Sequence, residues 1–263
     1  MVSLKTDQPA RGAVLIGYIV EAYLTKDEAR LHSHTHFLET VAMAEAFLGL
    51  GYDVDVIDYR NGGFTPTRDY RFFVSARTEF ERVATRLNDD CAKIAHMDTS
   101  HYLFNNAAAF GRSLALTRRR GAVVHSIRVI ETNFAAEAAD YLSVLGNGFT
   151  MGTYAYAGKP MFEIPVPSSV DFASPADKDF SSARNRFIWL GSSGLVHKGL
   201  DVALEAFAEM PECHLSVCGP LDAASERRFV DLYRSELYEL PNVSAVGWVN
   251  VREPAFQALV AGS

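Results

Sequence analysis

The sequence predicts an α/β protein built from two doubly wound domains, the second of them incomplete. Strand-like and helix-like segments alternate along the chain, the pattern of a parallel sheet covered by helices. Residues 13–20 form a continuous apolar run, as a strand buried on both faces requires. A proline- and serine-rich stretch between Ile164 and Arg184 interrupts the alternation, which then restarts. The expected division is 1–165 for the first domain, 166–184 for a linker and 185–263 for the second domain.

In the first domain, residues 13–20 are the first strand. Phe37, Val41, Ala44 and Leu48 then recur at helical spacing over 36–50, and Gly49 and Gly51 mark the stop. Apolar residues alternate over Asp53–Asp58, so 13–58 reads as one right-handed βαβ unit. Further strands are expected at 92–97, 122–127, 141–145 and 161–166, with helices at 77–89 and 107–119.

After the linker come a strand at 186–190, a loop at 191–198 and a helix at 199–210 with Leu200, Ala203, Leu204 and Phe207 on one face. A strand at 214–217 follows, then a helix at 225–240 with Phe229, Leu232, Tyr233, Leu237 and Leu240 aligned. A strand at 243–249 precedes a last helix that begins near Glu253 and is still running at Ser263. Three strands leave an exposed sheet edge, which a homo-oligomeric partner would cover.

With 263 residues, 48% hydrophobic and 22% charged, the chain can bury a core without metal or disulfide support. Lys plus Arg number 25 against 32 Asp plus Glu, and the net charge of −7 gives no field for a phosphate backbone. Nucleic acid is therefore not an expected partner. Cys91, Cys213 and Cys218 are an odd, scattered set, which predicts free thiols and a cytoplasmic location. The best apolar run, 12–24, is too short to span a bilayer and contains Glu21; no export signal is expected. The run Arg118-Arg-Arg120 reads as a solvated helix end, with peripheral contact to anionic lipid headgroups as the alternative.

Three segments could carry chemistry. In the loop from Gly191 through Ser192, Ser193 and Gly194 to Lys198, glycines, hydroxyls and a cation stand before a helix, which suits a diphosphate. Its spacing is neither a dinucleotide fingerprint nor a Walker loop, and an ordinary turn with a solvated lysine is the plainer reading. His32, His34 and His36 recur at period two, so on an extended segment they would project to one side, as in a metal-dependent hydrolase. No carboxylate or cysteine cluster adjoins them, and the simpler reading has no metal: Thr35 and His36 cap a helix and donate to phosphate or sugar oxygens. Past the strand at 92–97, His96 reads equally as a packed core residue, whereas His101 lies in a polar loop and is the better pocket candidate. Asn147 follows another strand end and is a further cleft candidate.

The stretch Phe187-Ile-Trp-Leu-Gly191, with His197-Lys-Gly-Leu-Asp-Val-Ala-Leu-Glu-Ala-Phe207, resembles the start of the carboxyl-terminal domain in retaining family-4 glycosyltransferases. Leu215-Ser-Val-Cys-Gly-Pro220 and Pro241-Asn-Val-Ser-Ala-Val-Gly-Trp-Val249 continue the likeness in the same order. Leu48-Gly-Leu-Gly-Tyr-Asp-Val-Asp-Val-Ile-Asp58 looks like the end of the first βαβ unit in the acceptor domain of the same GT-B architecture. The resemblance implies two Rossmann-like domains that move a sugar from a nucleotide-sugar, used as co-substrate with no required cofactor, to a saccharide or glycoconjugate acceptor in polysaccharide biosynthesis. It implies that Lys198, Gly191, Ser192, Ser193 and Gly194 hold the diphosphate, and that Gly219, Gly247 and Trp248 lie near the nucleobase. His36 and His101 would be the catalytic candidates, with His34 and Thr35 beside them. Two departures accompany it: Ser192 and Ser193 stand where the family has an arginine, and the family's paired glutamates would fall beyond Ser263. A truncated enzyme of low turnover is the resulting expectation; a non-catalytic nucleotide- or saccharide-binding module and the metal-dependent hydrolase are the alternatives.

Overall fold

The computed structural model describes residues 1–31, 34–124, 128–168, 170 and 178–263. The chain divides into two compact units, one of residues 1–104 with 131–171, the other of 105–130 with 172–263.

The first unit is α/β, with a seven-stranded sheet of β1 (Val2–Leu4), β2 (Ala13–Tyr18), β3 (Asp53–Asp58), β4 (Phe72–Ala76), β5 (Ala92–Met97), β6 (Tyr141–Leu145) and β7 (Met161–Ile164). Their spatial order is β1-β3-β2-β4-β5-β6-β7, and every pairing is parallel except β1 with β3. Helices α1 (Glu28–Leu31), α2 (Thr35–Gly49), α3 (Phe80–Ala84), the start of α4 (Tyr102–Arg120), α5 (Ala135–Ala138) and α6 (Gly148–Gly152) complete it, consistent with a Rossmann-like fold.

Every residue of β2 is buried because both its faces are covered. Leu15 packs with Phe73, Phe80 and Leu142 on one side, while Val14 and Ile16 pack with Ala44, Val54 and Val56 on the other. β3 and β4 flank β2 on opposite sides, so the strand order reverses between β2 and β4, where doubly wound sheets open a crevice.

The second unit holds a parallel three-stranded sheet, β10 (Val243–Gly247), β9 (His214–Cys218) and β8 (Arg186–Leu190), with β8 at one edge. Around it lie α4 from Asn105 onward, α7 (Phe180–Ala183), α8 (Leu200–Ala208), α9 (Arg227–Leu232), α10 (Arg234–Tyr238) and α11 (Pro254–Ala261). The single helix expected over 225–240 is broken at Tyr233 (φ −109°, ψ 25°). Tertiary contacts fix that residue: its ring stacks on Phe229 at 4.8 Å and its hydroxyl donates to Glu205.

Three further expectations change. The helix at 77–89 shrinks to α3, because the Asn88 amide binds both backbone groups of Tyr70 and turns the chain early. Of the strand expected at 122–127, Ala122, Val123 and Val124 are coil, and 125–127 lie outside the described residues. Residues 105–130 group with the second unit although they precede the linker: Leu116 and Val124 are buried in its core with Leu200, Leu204 and Phe229.

The basic run at the end of α4 holds that segment in place. Arg118 is exposed, but Arg119 pairs with Asp201 and Glu205, and Arg120 pairs with Glu205 and Glu236 while its guanidinium lies 4.5 Å from the Tyr233 ring. These pairs are only partly exposed, so Arg120→Met is expected to lower stability by about 1–2 kcal/mol, against roughly 0–0.5 for Arg118→Met. Urea unfolding of the two variants checks the contrast.

Among the described residues no helix is long and apolar enough to cross a membrane. Cys91, Cys213 and Cys218 are free thiols, and Cys91 and Cys218 are buried.

Candidate functional site

In the second unit, β8, β9 and β10 deliver three glycines to one sheet edge. Gly191 N–H donates to the Cys218 carbonyl at 3.0 Å and Gly219 N–H to the Gly247 carbonyl at 2.9 Å, so the strand ends stay in register as they leave the sheet. The Trp189 ring lies against Gly191 and Gly219, and its Nε1 donates to the Lys198 carbonyl at 3.2 Å. From that anchor the Lys198 side chain turns back over the loop, and Nζ donates to Ser192 Oγ at 2.7 Å. Ser192, Ser193 and Lys198 are exposed. Burial and the nearby Arg128 charge lower the pKa of the Lys198 ammonium. The Gly194 N–H is already taken, donating at 2.7 Å to buried Glu226 beneath the turn. Gly191, Ser192, Ser193, Gly194, Lys198, Gly219 and Gly247 thus share one edge, and Trp248 follows it with its side chain in solvent.

In the first unit the sequence candidates separate into two groups. One lies at the strand reversal. Tyr18, the last residue of β2, donates to Glu39 of α2 at 2.8 Å, and His96 Nε2 of β5 stands 3.8 Å from the same carboxylate oxygen. His96 Nδ1 lies 2.9 Å from Ser143 Oγ. The His36 ring is 5.3 Å from Tyr18, and Arg77 beyond β4 pairs with Asp98 beyond β5. Burial lowers the His36 pKa to about 4, so the ring is neutral at neutral pH. Burial, followed by the Glu39 charge, raises the Tyr18 pKa. Burial alone would raise Glu39 too, but the His96 and Tyr18 contacts outweigh it and keep the group ionised.

Of the expected histidine row, His34 and His36 lie side by side, their rings 4.2 Å apart and edge to face. His34, extended at φ −151° and ψ 141°, is the N-cap of α2, and its Nδ1 accepts the His36 N–H at 3.2 Å. The cap therefore falls on His34 instead of Thr35, which is the first helical residue. His32 lies outside the described residues. Among the described residues, no group of three His, Cys, Asp or Glu side chains is placed to hold a metal ion.

The second group surrounds a cavity of about 660 Å³ lined by His101, Tyr102, Glu137, Phe149, Thr153 and Tyr156, among others. Leu103 N–H donates to His101 Nδ1 at 3.3 Å, which leaves the proton of the neutral ring on Nε2. Nε2 lies 3.0 Å from Tyr156 Oη, whose proton goes to Glu137 Oε1 at 2.9 Å. Burial lowers the His101 pKa, with the Glu137 charge opposing it. Phe104 and Phe149 meet edge to face at 5.3 Å, and both are exposed. Asn147 caps α6, its Oδ1 accepting from Phe149 N–H at 3.0 Å, so its placement is that of a helix cap.

Of the first group's residues that the sequence reading does not single out, Glu39 has a visible signal, three residues after His36 on one helix face. Tyr18, Arg77, Glu137 and Tyr156 enter through tertiary placement. No known protein family and no curated protein sequence matches this chain.

Proposed function

We propose that this chain is a glycosyltransferase of the two-domain GT-B type, retaining by resemblance, which transfers a sugar from a nucleotide-sugar to a saccharide or glycoconjugate acceptor. The observation that carries this reading is the Lys198 ammonium folded over Ser192 at the glycine-lined ends of three parallel strands. When the bond between the anomeric carbon and the β-phosphate oxygen breaks, negative charge grows on the departing diphosphate. Lys198 stabilises that charge, and the Ser192 and Ser193 hydroxyls donate to it. Gly219, Gly247 and exposed Trp248 are suited to the nucleobase side of the same donor.

The first unit's cavity suits a saccharide acceptor, with apolar ring faces at Phe149 and Tyr156 and a carboxylate at Glu137. His101 orients Tyr156, so Tyr156 and Glu137 are the groups that meet acceptor hydroxyls. Three free cysteines fit a reducing, cytoplasmic compartment.

Thermal unfolding of the whole chain with UDP-, GDP- and ADP-sugars tests the proposal. A donor bound only by the folded chain raises the midpoint; at 100 times its Kd the gain is about 2.7 kcal/mol. One nucleotide class is expected to do so and, with an acceptor glycan, to release its nucleoside diphosphate. Stabilisation without release would make the chain a binding module, and no response to any donor would end the carbohydrate reading.

A further inference from the structure

We infer that Arg128 and Arg112, distant in sequence from the Lys198 turn, complete it as a binding site for the pyrophosphate group of a nucleoside diphosphate. The inference rests on the reading of that turn as a diphosphate site, and it adds the residues that would bind.

Gly194 (φ +90°) and Gly199 (φ +75°) stand at the two ends of the turn in a conformation that favours glycine. Each is overlaid by an arginine of the 105–130 segment. Arg128 Cδ lies 2.8 Å from where a Gly194 Cβ would stand, and Arg112 Nη1 lies 3.7 Å from the corresponding point at Gly199. A side chain at 194 would expel the Arg128 stem. Lys198 lies between them with its ammonium on Ser192, and the His197 Cβ is 3.6 Å from the Gly194 position.

Both arginines are held from behind. The Asn105 amide donates to the Arg128 carbonyl at 3.2 Å, and Asn106 binds both the N–H and the carbonyl of Ile130 at 2.8 and 2.9 Å. Arg112 rides on α4, which Arg119 and Arg120 tie to Asp201, Glu205 and Glu236. The contrast along that helix is informative. Among the described residues no carboxylate lies within ion-pair distance of Arg112, Arg128 or Lys198, and all three are exposed. The acid at the turn, Glu226, is buried beneath it on the Gly194 amide.

Gathering like charges costs free energy that an anion recovers. The same charges act on the neighbouring imidazole: burial, then Arg128, Arg112 and Lys198, lower the pKa of His197. Two guanidinium forks and an ammonium match the many oxygens of a pyrophosphate better than a single carboxylate.

Calorimetric titration of the full chain with inorganic pyrophosphate tests this, using wild type, Arg128→Gln, Arg112→Gln and, as control, Arg118→Gln on the same helix. Binding is expected to weaken at least about tenfold in each of the first two variants and to stay within twofold in the control. Near pH 6, comparison of buffers of different ionisation heat should show wild type taking up more protons, or releasing fewer, on binding than His197→Asn, because the anion favours the charged imidazole. Wild-type affinity in Arg128→Gln, or no pyrophosphate binding by wild type, overturns the inference. UDP, GDP and ADP in the same assay separate the sources. Pyrophosphate binding through Arg128 with no response to nucleotide-sugars would keep the anion site and remove the glycosyltransferase. Donor binding unaffected by Arg128→Gln would do the reverse.

Discussion

Lys198→Ala is expected to lower sugar transfer about 100- to 1,000-fold, roughly 3–4 kcal/mol of barrier, while the thermal midpoint stays nearly unchanged. The Lys198 side chain is exposed and among the described residues bonds to Ser192 alone, whereas the contact that anchors the turn, Trp189 Nε1 to the residue 198 carbonyl, survives the substitution. Little folding energy is therefore at stake. The charge it meets grows as the diphosphate leaves, so kcat and kcat/KM should fall together and donor affinity should fall much less. Lys198→Arg keeps the charge but not the compact ammonium seated on Ser192, and partial recovery is expected. Steady-state kinetics with the donor found by thermal unfolding measure both variants. Turnover of Lys198→Ala within threefold of wild type would remove the ammonium from the reaction.

What the sequence made legible follows from how locally each feature is determined. β2 is read from its own apolar run and α2 from its own spacing, because a doubly covered strand and an amphipathic helix carry their burial in their composition; β8 is read from its apolar residues too, although they stay half-buried or exposed. β4 escapes such a reading: Phe72–Ala76 is short, lies among charged residues and becomes a strand by pairing with both β2 and β5. With β4 unseen the strand reversal cannot be located, and Tyr18, Glu39 and His96 cannot be recognised as one group.

The position of the α2 cap is missed for a related reason. Imidazole is not a favoured N-cap, yet His34 takes that place ahead of Thr35. The assignment of 105–130 depends on partners more than 80 residues away, Asp201 and Glu205 for Arg119 and Arg120, which no local pattern announces. The same holds for Arg128. Its place against Gly194 is a property of the folded second unit, whereas Lys198 sits inside the motif it serves.

Mild acid is expected to destabilise the first unit through His36. Its folded pKa of about 4 lies below the ordinary 6.5, so the unfolded chain takes up the proton first as pH falls. The contribution is complete above pH 6.5 and is lost between there and about 4, reaching roughly 2 kcal/mol at pH 5 and about 3 kcal/mol at full protonation. Burial is the main cause; His34, His96 and Arg77 press the same way, and Glu39 opposes them. His101, also lowered by burial, adds to the loss in the same direction. The lowered carboxyl of Glu39 holds its own contribution until pH drops through its folded value, below the ordinary carboxylate range, so it does not offset the histidines. Urea midpoints at pH 8, 7, 6 and 5 for wild type and His36→Gln measure this. Wild type should weaken steadily below pH 7, and the variant, which has no proton to bind there, should show a slope reduced by most of that amount. Equal slopes would mean that His36 already carries its proton in the fold, which the half-buried, Tyr18-packed ring would not allow without opening the crevice at the strand reversal.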